Sequence, residues 1–426
     1  MSLFALLGGE IGVFAAAALF AWIVLTWVMR PRSWEKDPGA TGPQHIHLAP
    51  TSRLGGQAIF LGFVLAVAIA LELELMPAQP ALSLMLAVVP MQIVGLWEDI
   101  AHRVPPRYRL LATVFSAALA SAFAQGVIKR LDLPFLDGWI TYLFLDGWVT
   151  YLSFTLPLTW FMVAGACNAL NIIDGNNGLA GGSALLMFVG LAIVAGNAGD
   201  MLVLSQAVAM TGALVAFLLW NYPNGKVFLG DAGAYFIGFM YAQLSIQLIG
   251  RNAGVSAWFV IALAAYPIVE TLFSIYRRKI LHHAAAMQPD VLHLHSLLYV
   301  SFLRFAERPP CEERRLGLSA DPYPGRERRQ PERRANARVA PRLWLHGALC
   351  FIIALAFYDN TPALIAFTPI YAIYYIVCYR KAARLSEDML SGHMTRQATP
   401  STGALLGATP GKSIAATTSA TTPATY

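Results

Sequence analysis

Charge is what this sequence has little of. Only 13% of its 426 residues are Asp, Glu, Lys or Arg, where a soluble domain sits near ~25%. That shortfall excludes an ordinary soluble enzyme and a disordered scaffold. Cysteine is scarce too. Cys167, Cys311, Cys350 and Cys378 are scattered and none forms a C-x-x-C pair, so neither a disulfide framework nor a thiolate metal centre is expected. There is no H-E-x-x-H motif either, which weakens any case for zinc. The first apolar block has no basic residue in front of it, and Arg30, Arg32 and Lys36 follow it. That order reverses a cleavable signal peptide and reads as an anchor with its N-terminus outside.

What the chain has instead is apolar sequence in long blocks. Hydrophobic residues make up 57% of it, and the mean hydropathy is +0.55. Blocks of ~20 apolar residues match the hydrocarbon thickness of a bilayer. They fall near 3–28, 54–75, 81–97, 110–128, 150–171, 179–196, 200–220, 231–250, 255–276, 343–358 and 360–379. The expected fold is an all-α polytopic membrane protein of about eleven transmembrane helices. Basic residues follow the odd-numbered blocks: Arg30, Arg103/Arg107/Arg109, Lys226, Arg277/Arg278/Lys279 and Arg380/Lys381/Arg384. The positive-inside rule then places the N-terminus in the periplasm and the C-terminus in the cytoplasm. Lys129–Arg130, after the fourth block, is an exception.

The chain divides into a transmembrane core over 1–303, an insert over 304–342, two last spans over 343–380 and a tail over 381–426. The insert holds 11 Arg and 6 acidic residues, with Pro309, Pro310, Pro322, Pro324 and Pro331 among them, so it reads as a flexible, solvated cytoplasmic loop. The Ala/Thr/Ser/Pro-rich tail reads as disordered. A nine-residue repeat, FLDGWITYL then FLDGWVTYL (Phe135–Leu152), fits a tandem duplication in an outer loop, with Trp139, Tyr142, Trp148 and Tyr151 suited to the membrane interface.

Polar motifs gather on one face. Glu98-Asp99 ends the third block, with His102, Arg103, Arg107 and Arg109 beyond. Adjacent carboxylates at a membrane edge are costly unless hydrated, paired or metal-bound. They answer the arginines or mark a metal or phosphoryl-transfer site. Asn168, Asn171 and Asp174 fall at steps of three, followed by Gly175-Asn176-Asn177-Gly178. Amides with a carboxylate suit recognition of a base or sugar; a tight helix-packing turn is the alternative. Asp231 sits between glycines in Phe228–Ala234, downstream of Lys226. It could hold Mg²⁺ with water and phosphate completing the shell, or simply cap a helix. His293 and His295 follow Pro289-Asp290, and contacts to phosphate or sugar suit them better than a transition metal does. A weaker basic patch, His45 to Gly56 with His47 and Arg53, leads into the second block.

In this order the motifs resemble those of the polyprenyl-phosphate N-acetylhexosamine-1-phosphate transferases. That superfamily includes the muramoyl-pentapeptide transferase of peptidoglycan synthesis and the enzymes that initiate O-antigen and teichoic acid synthesis. The resemblance runs from about His45 to Arg304 through PTSRLGG (Pro50–Gly56), Glu98-Asp99, NIIDGNNGLAGG (Asn171–Gly182), FLGDAGA (Phe228–Ala234) and HLHS (His293–Ser296). It implies transfer of a sugar 1-phosphate from a UDP-sugar to undecaprenyl phosphate at the bacterial inner membrane. Mg²⁺ would sit on Asp231. Asn171, Asp174 and Asn177 would orient the nucleotide. Asp99, helped by Glu98, would position the lipid phosphate or take its proton. Arg53, Lys226, His293 and His295 would contact phosphate or sugar oxygens. No nucleic acid is implied, and homodimerisation is left open. Three residues depart from the family pattern: Glu98 for the first acid of a double aspartate, Asn177 for the second acid of D-G-x-D-G, and Ser296 for a histidine. They put the sugar's identity in question more than the reaction. A transporter, an inactive relative serving as an assembly partner and the peptidoglycan enzyme itself are the competing readings.

Overall fold

A computed structural model describes residues 3–29, 51–138, 154–281, 292–306 and 329–397. The His45/His47 patch, Pro289-Asp290, Cys311 and most of the nine-residue repeat lie outside them. The described chain is helical: α1 (Leu3–Val28), α2 (Gly55–Glu72), α3 (Ala78–Ala101), α4 (Pro106–Phe123), α5 (Leu156–Ile173), α6 (Leu179–Ala198), α7 (Met201–Asn221), α8 (Gly230–Arg251), α9 (Ala257–Leu263), α10 (Ala265–Tyr276), α11 (Leu294–Ala306), α12 (Arg329–Ala356) and α13 (Thr361–Gln397).

Nine of these described helices are long and apolar enough to cross a membrane, or ten if the bent pair α9–α10 is one span. The expected fourth block is where the count of eleven departs. It forms α4, whose first turn carries Arg107 and Arg109, and it ends at Phe123 rather than near residue 128. The ninth block is broken by 74° between Leu263 and Ala265. Pro267 explains the break, because its ring crowds the carbonyl four residues back and it has no N–H to donate.

Helix α8 is the centre of the bundle. Every residue from Gly230 to Leu248 is buried, and α2, α3, α4, α5, α6 and α7 all pack on it. A helix buried around its whole circumference belongs there. In α3 the buried residues Leu84, Val88, Met91, Gln92, Gly95 and Asp99 form one stripe. Leu82, Leu86, Val89, Ile93 and Trp97 are exposed on the other side, as a lipid-facing surface requires. Helices approach where side chains vanish. A Cβ on Gly56 of α2 would lie 2.2 Å from Gly233 Cα of α8, so only glycine allows that crossing.

Arg130, the exception to the charge rule, is held by structure. Its guanidinium donates to the carbonyls of Asn252 (3.2 Å), Ala253 (3.0 Å) and Val255 (2.5 Å) beyond the C-terminus of α8. It also pairs with Asp132 at 3.2 Å. A cation at a helix C-terminus is stabilised there whichever way the span runs.

The insert and the tail need correcting. Helix α11 continues to Ala306 and α12 starts at Arg329, so only the middle of 304–342 lies outside the described residues. Ala335, Asn336, Val339, Ala340 and Leu343 are buried at helical spacing, which anchors the basic end of α12 on the bundle. Helix α13 runs on through 381–397, a stretch free of proline and rich in helix formers.

Candidate active site

The site is built on a helix start. A short segment, Ser52 to Gly56, lies beside Val227–Leu229. Ser52 bridges Val227; Phe228 N–H donates to the Ser52 carbonyl (2.8 Å), and the Gly55 and Gly56 N–H groups donate to the carbonyls of Phe228 (2.9 Å) and Leu229 (2.8 Å). This brings Arg53 to the first turn of α8. Gly230 makes the turn at φ +75°; a Cβ there would meet the Arg53 carbonyl at 2.2 Å and both Asp99 carboxylate oxygens at 2.7 Å, so no other residue fits.

Asp231 is the convergence point. Its Oδ1 accepts a hydrogen bond from Asn171 Nδ2 at 3.1 Å and has Arg53 Nη2 at 3.9 Å. Its Oδ2 forms an ion pair with Arg109. Three elements far apart in sequence thus meet on the carboxylate of a fourth. Arg53, expected at phosphate or sugar oxygens, and Asn171, expected at the nucleotide, are among them. Arg109, from the start of α4, was not expected as a partner of Asp231. It belongs to the arginine run after Glu98-Asp99, but nothing in the linear order singles it out.

Asp99, expected to position the lipid phosphate or take its proton, makes structural contacts as well. It is buried, and its Oδ1 and Oδ2 accept the backbone N–H groups of Asp231 (2.7 Å) and Ala232 (3.0 Å). It therefore caps α8 from another helix, since Leu229 at the N-cap position makes no side-chain cap. Glu98 turns elsewhere: its Oε2 accepts Val104 N–H at 2.6 Å and fixes the bend after α3. His102, in the left-handed region at φ 52°, has its Nδ1 3.3 Å from Arg53 Nη1.

Asp174 closes α5 and lies half-buried in the same recess. Burial pushes its carboxyl up to about 7, against the pull of the Arg53 guanidinium. In the unfolded chain the group titrates near ~4. Between those values the folded state binds more protons, so this group's contribution makes the fold less stable as pH rises. Asp174→Asn removes that effect. Its thermal midpoint should gain on the wild type between about pH 4.5 and about pH 8. A gap that does not change with pH would show that the carboxyl titrates as it does unfolded.

Asn177, expected at the nucleotide, is occupied by the fold. It is buried; its backbone N–H donates to Asn336 Oδ1 (2.9 Å) and its Nδ2 to the Pro223 carbonyl (3.2 Å). Asn221 holds the same turn. Its Oδ1 accepts Gly178 N–H at 2.6 Å and its Nδ2 donates to the Val227 carbonyl at 2.7 Å. Two further bonds come from or reach α12: Trp344 Nε1 donates to the Gly178 carbonyl, 3.0 Å, and Tyr222 Oη to the Ala337 carbonyl, 3.1 Å. An aspartate at 177 has no proton to give Pro223. Asn177→Asp should destabilise the protein by about 1–3 kcal/mol, read as a lower thermal midpoint. An unchanged midpoint would mean the Pro223 contact contributes nothing.

The histidines reach the same turn. The His293 and His295 rings stack, 5.2 Å apart and 4° from parallel. A Cβ on Gly175 would come within 2.2 Å of His295 Nε2, so His295 lies directly against the backbone beside Asp174. His293 Nδ1 is 3.0 Å from Glu270 Oε1, an acid buried in α10. The sequence offered a signal for Glu270, a lone carboxylate inside an apolar block. Two expected residues stand apart from Asp231's partners. Asn168 is exposed on α5, one turn from Asn171. Lys226 is exposed with its ammonium 5.4 Å from the Trp220 ring centre.

The Asp231 carboxylate is the kind of hard oxygen donor that Mg²⁺ takes alongside water and phosphate. Among the described residues no three His, Cys, Asp or Glu side chains cluster as a metal cage, so other oxygens would have to complete the shell. Arg109 and Arg53 now occupy Asp231's negative charge.

Residues 81–249 match the model of glycosyl transferase family 4. A probable undecaprenyl-phosphate N-acetylglucosaminyl 1-phosphate transferase of Bacillus subtilis is 30% identical over 266 residues, 59% of this chain and 67% of that protein. The decaprenyl-phosphate N-acetylglucosaminephosphotransferase of Mycobacterium tuberculosis is 29% identical over 281 residues, 59% of this chain and 66% of that protein. A phospho-N-acetylmuramoyl-pentapeptide-transferase of a Synechococcus species is 31% identical over 242 residues, 52% of this chain and 63% of that protein. The chain thus spans about two thirds of the length of these relatives.

Proposed function

The chain belongs to glycosyl transferase family 4, the superfamily of polyprenyl-phosphate N-acetylhexosamine-1-phosphate transferases, and from that premise we propose that it transfers a sugar 1-phosphate from a UDP-sugar to undecaprenyl phosphate. The sugar is an N-acetylhexosamine of the N-acetylglucosamine type, as the names of two of the relatives suggest. The products are a lipid diphosphate sugar and UMP, formed at the cytoplasmic face of a bacterial inner membrane. The product would start a cell-surface polysaccharide.

One observation carries the reading: three sequence-distant elements meet on Asp231, and two of them bring guanidinium groups. Joining a diphosphate to a phosphate requires concentrated positive charge and in-line positioning. An oxygen of the lipid phosphate attacks the sugar-linked phosphorus. The bond between that phosphorus and the bridging oxygen breaks, and UMP leaves with the electron pair. Asp231 would hold Mg²⁺; when bound, that ion supplies charge neutralisation for the diphosphate and the leaving UMP. Arg109 and Arg53 lie close enough to exchange Asp231 for phosphate oxygens. Asp174 and the turn after it face the nucleotide, and His293 and His295 approach that turn from the other side. The acceptor phosphate is already partly a dianion, with a second pKa near ~6, so a strong base is not required.

Two of the three departures from the family pattern fit an active enzyme. Glu98 and Asn177 are engaged in turns of the fold, and neither is among the groups holding Asp231. The test is UMP release by the full-length chain in detergent, with undecaprenyl phosphate, Mg²⁺ and a panel of UDP-N-acetylhexosamines. Release that needs both lipid and metal supports the proposal and names the sugar. UDP-sugar binding without release from any donor would point to an inactive relative.

A further inference from the structure

A carboxylate buried in a membrane-spanning helix is costly unless its partners compensate it. Glu270 of α10 is fully buried, and its partners converge on one place. Its Oε1 accepts from His293 Nδ1 at 3.0 Å and from the Leu294 N–H at 3.3 Å. Its Oε2 accepts from Tyr375 Oη of α13 at 2.7 Å. Ser274 Oγ lies 3.1 Å from the same His293 nitrogen. One residue earlier, the Leu292 carbonyl accepts from Tyr379 Oη of α13 at 3.0 Å and from the Arg277 guanidinium. Arg277 also donates to Tyr379 Oη at 2.6 Å.

We propose that Glu270 is a positioning residue for His293, and that α13 supports it through Tyr375 and Tyr379. The carboxylate accepts a hydrogen bond from Nδ1–H, keeps the proton on that nitrogen and so fixes the ring's orientation and tautomer, leaving Nε2 as the nitrogen that exchanges protons. The held ring carries His295 by stacking, and His295 lies on the backbone of Gly175. Contacts made in α13 are thereby transmitted to the turn beside Asp174. This inference rests on the proposed function only in taking His293 to be a group that meets the substrate's phosphates.

The test is a double-mutant cycle on the full-length chain with Glu270→Gln and His293→Asn. UMP release and UMP binding are both measured. Glu270→Gln should lower kcat by roughly 10-fold or more with a smaller change in KM. The double variant should be no worse than His293→Asn alone. Losses that multiply in the double variant would overturn the proposal, because Glu270 would then act on the fold and not through His293. If Glu270→Gln does not fold, Tyr375→Phe replaces it in the same cycle, with a loss of a few-fold and the same criterion. If the wild type releases no UMP, the transfer reading fails on its own. The cycle is then decided on UMP affinity, where coupled losses keep the positioning role and additive losses remove it.

Discussion

Asp231→Asn should lower UMP release by at least about 10²–10³-fold, the range for losing one group aimed at developing charge, while the protein still folds. The two halves of this expectation have separate causes. Folding survives because the first turn of α8 is capped by Asp99 on backbone N–H groups, and those bonds do not involve the Asp231 side chain. Asparagine also keeps one oxygen that can accept from Asn171 Nδ2. Turnover collapses because the charge is gone. Arg109 and Arg53 lose the anion they share, and a divalent cation loses the carboxylate it would bind. Mn²⁺ binding by the full-length protein, followed by electron paramagnetic resonance, gives a readout independent of turnover. The variant should lose a tight Mn²⁺ site that the wild type has. Near-normal UMP release would move the metal to another residue.

The sequence made the residues of this site legible, but their roles less so. Asp231, Asn171 and Arg53 could be picked out because each sits in a short polar motif at the edge of an apolar block, and such motifs are local. Asp99 sits in an equally clear motif, yet its function as a cap for α8 depends on a contact 132 residues away. No local pattern encodes that. Asn177 illustrates the same limit. As a departure from a family pattern it suggests altered ligand reading, but its amide is committed to Pro223. The basic end of α12 is the largest misreading. Its arginines and prolines resemble a solvated loop, while Ala335, Val339 and Leu343 at helical spacing carry the opposite message and are buried. Composition averages over both faces of a helix; burial acts on one. The count of spans departs for a related reason. Pro267 bends one block, and α4 carries charge in its first turn, where Arg109 pairs with Asp231.

Asp99→Asn separates the two roles open to that residue. If Asp99 acts only on a substrate proton, the substitution removes turnover and leaves stability alone. The geometry argues for a different result. Both carboxylate oxygens accept backbone N–H groups in a buried setting, and asparagine offers one acceptor there and one NH₂. The NH₂ would face a backbone N–H, so one donor loses its partner and two donors oppose each other. Losing a charge-assisted bond and stranding a buried amide should cost about 2–4 kcal/mol, read as a lower thermal midpoint. The start of α8 would shift, and Asp231 would shift with it. A displacement near ~1 Å at a reacting group costs on the order of 10²-fold in rate. Turnover and stability should therefore fall together, and Mn²⁺ affinity should weaken although Asp231 is intact. A fully stable Asp99→Asn protein with normal Mn²⁺ binding and no turnover would assign Asp99 to the chemistry and leave the capping of α8 energetically idle.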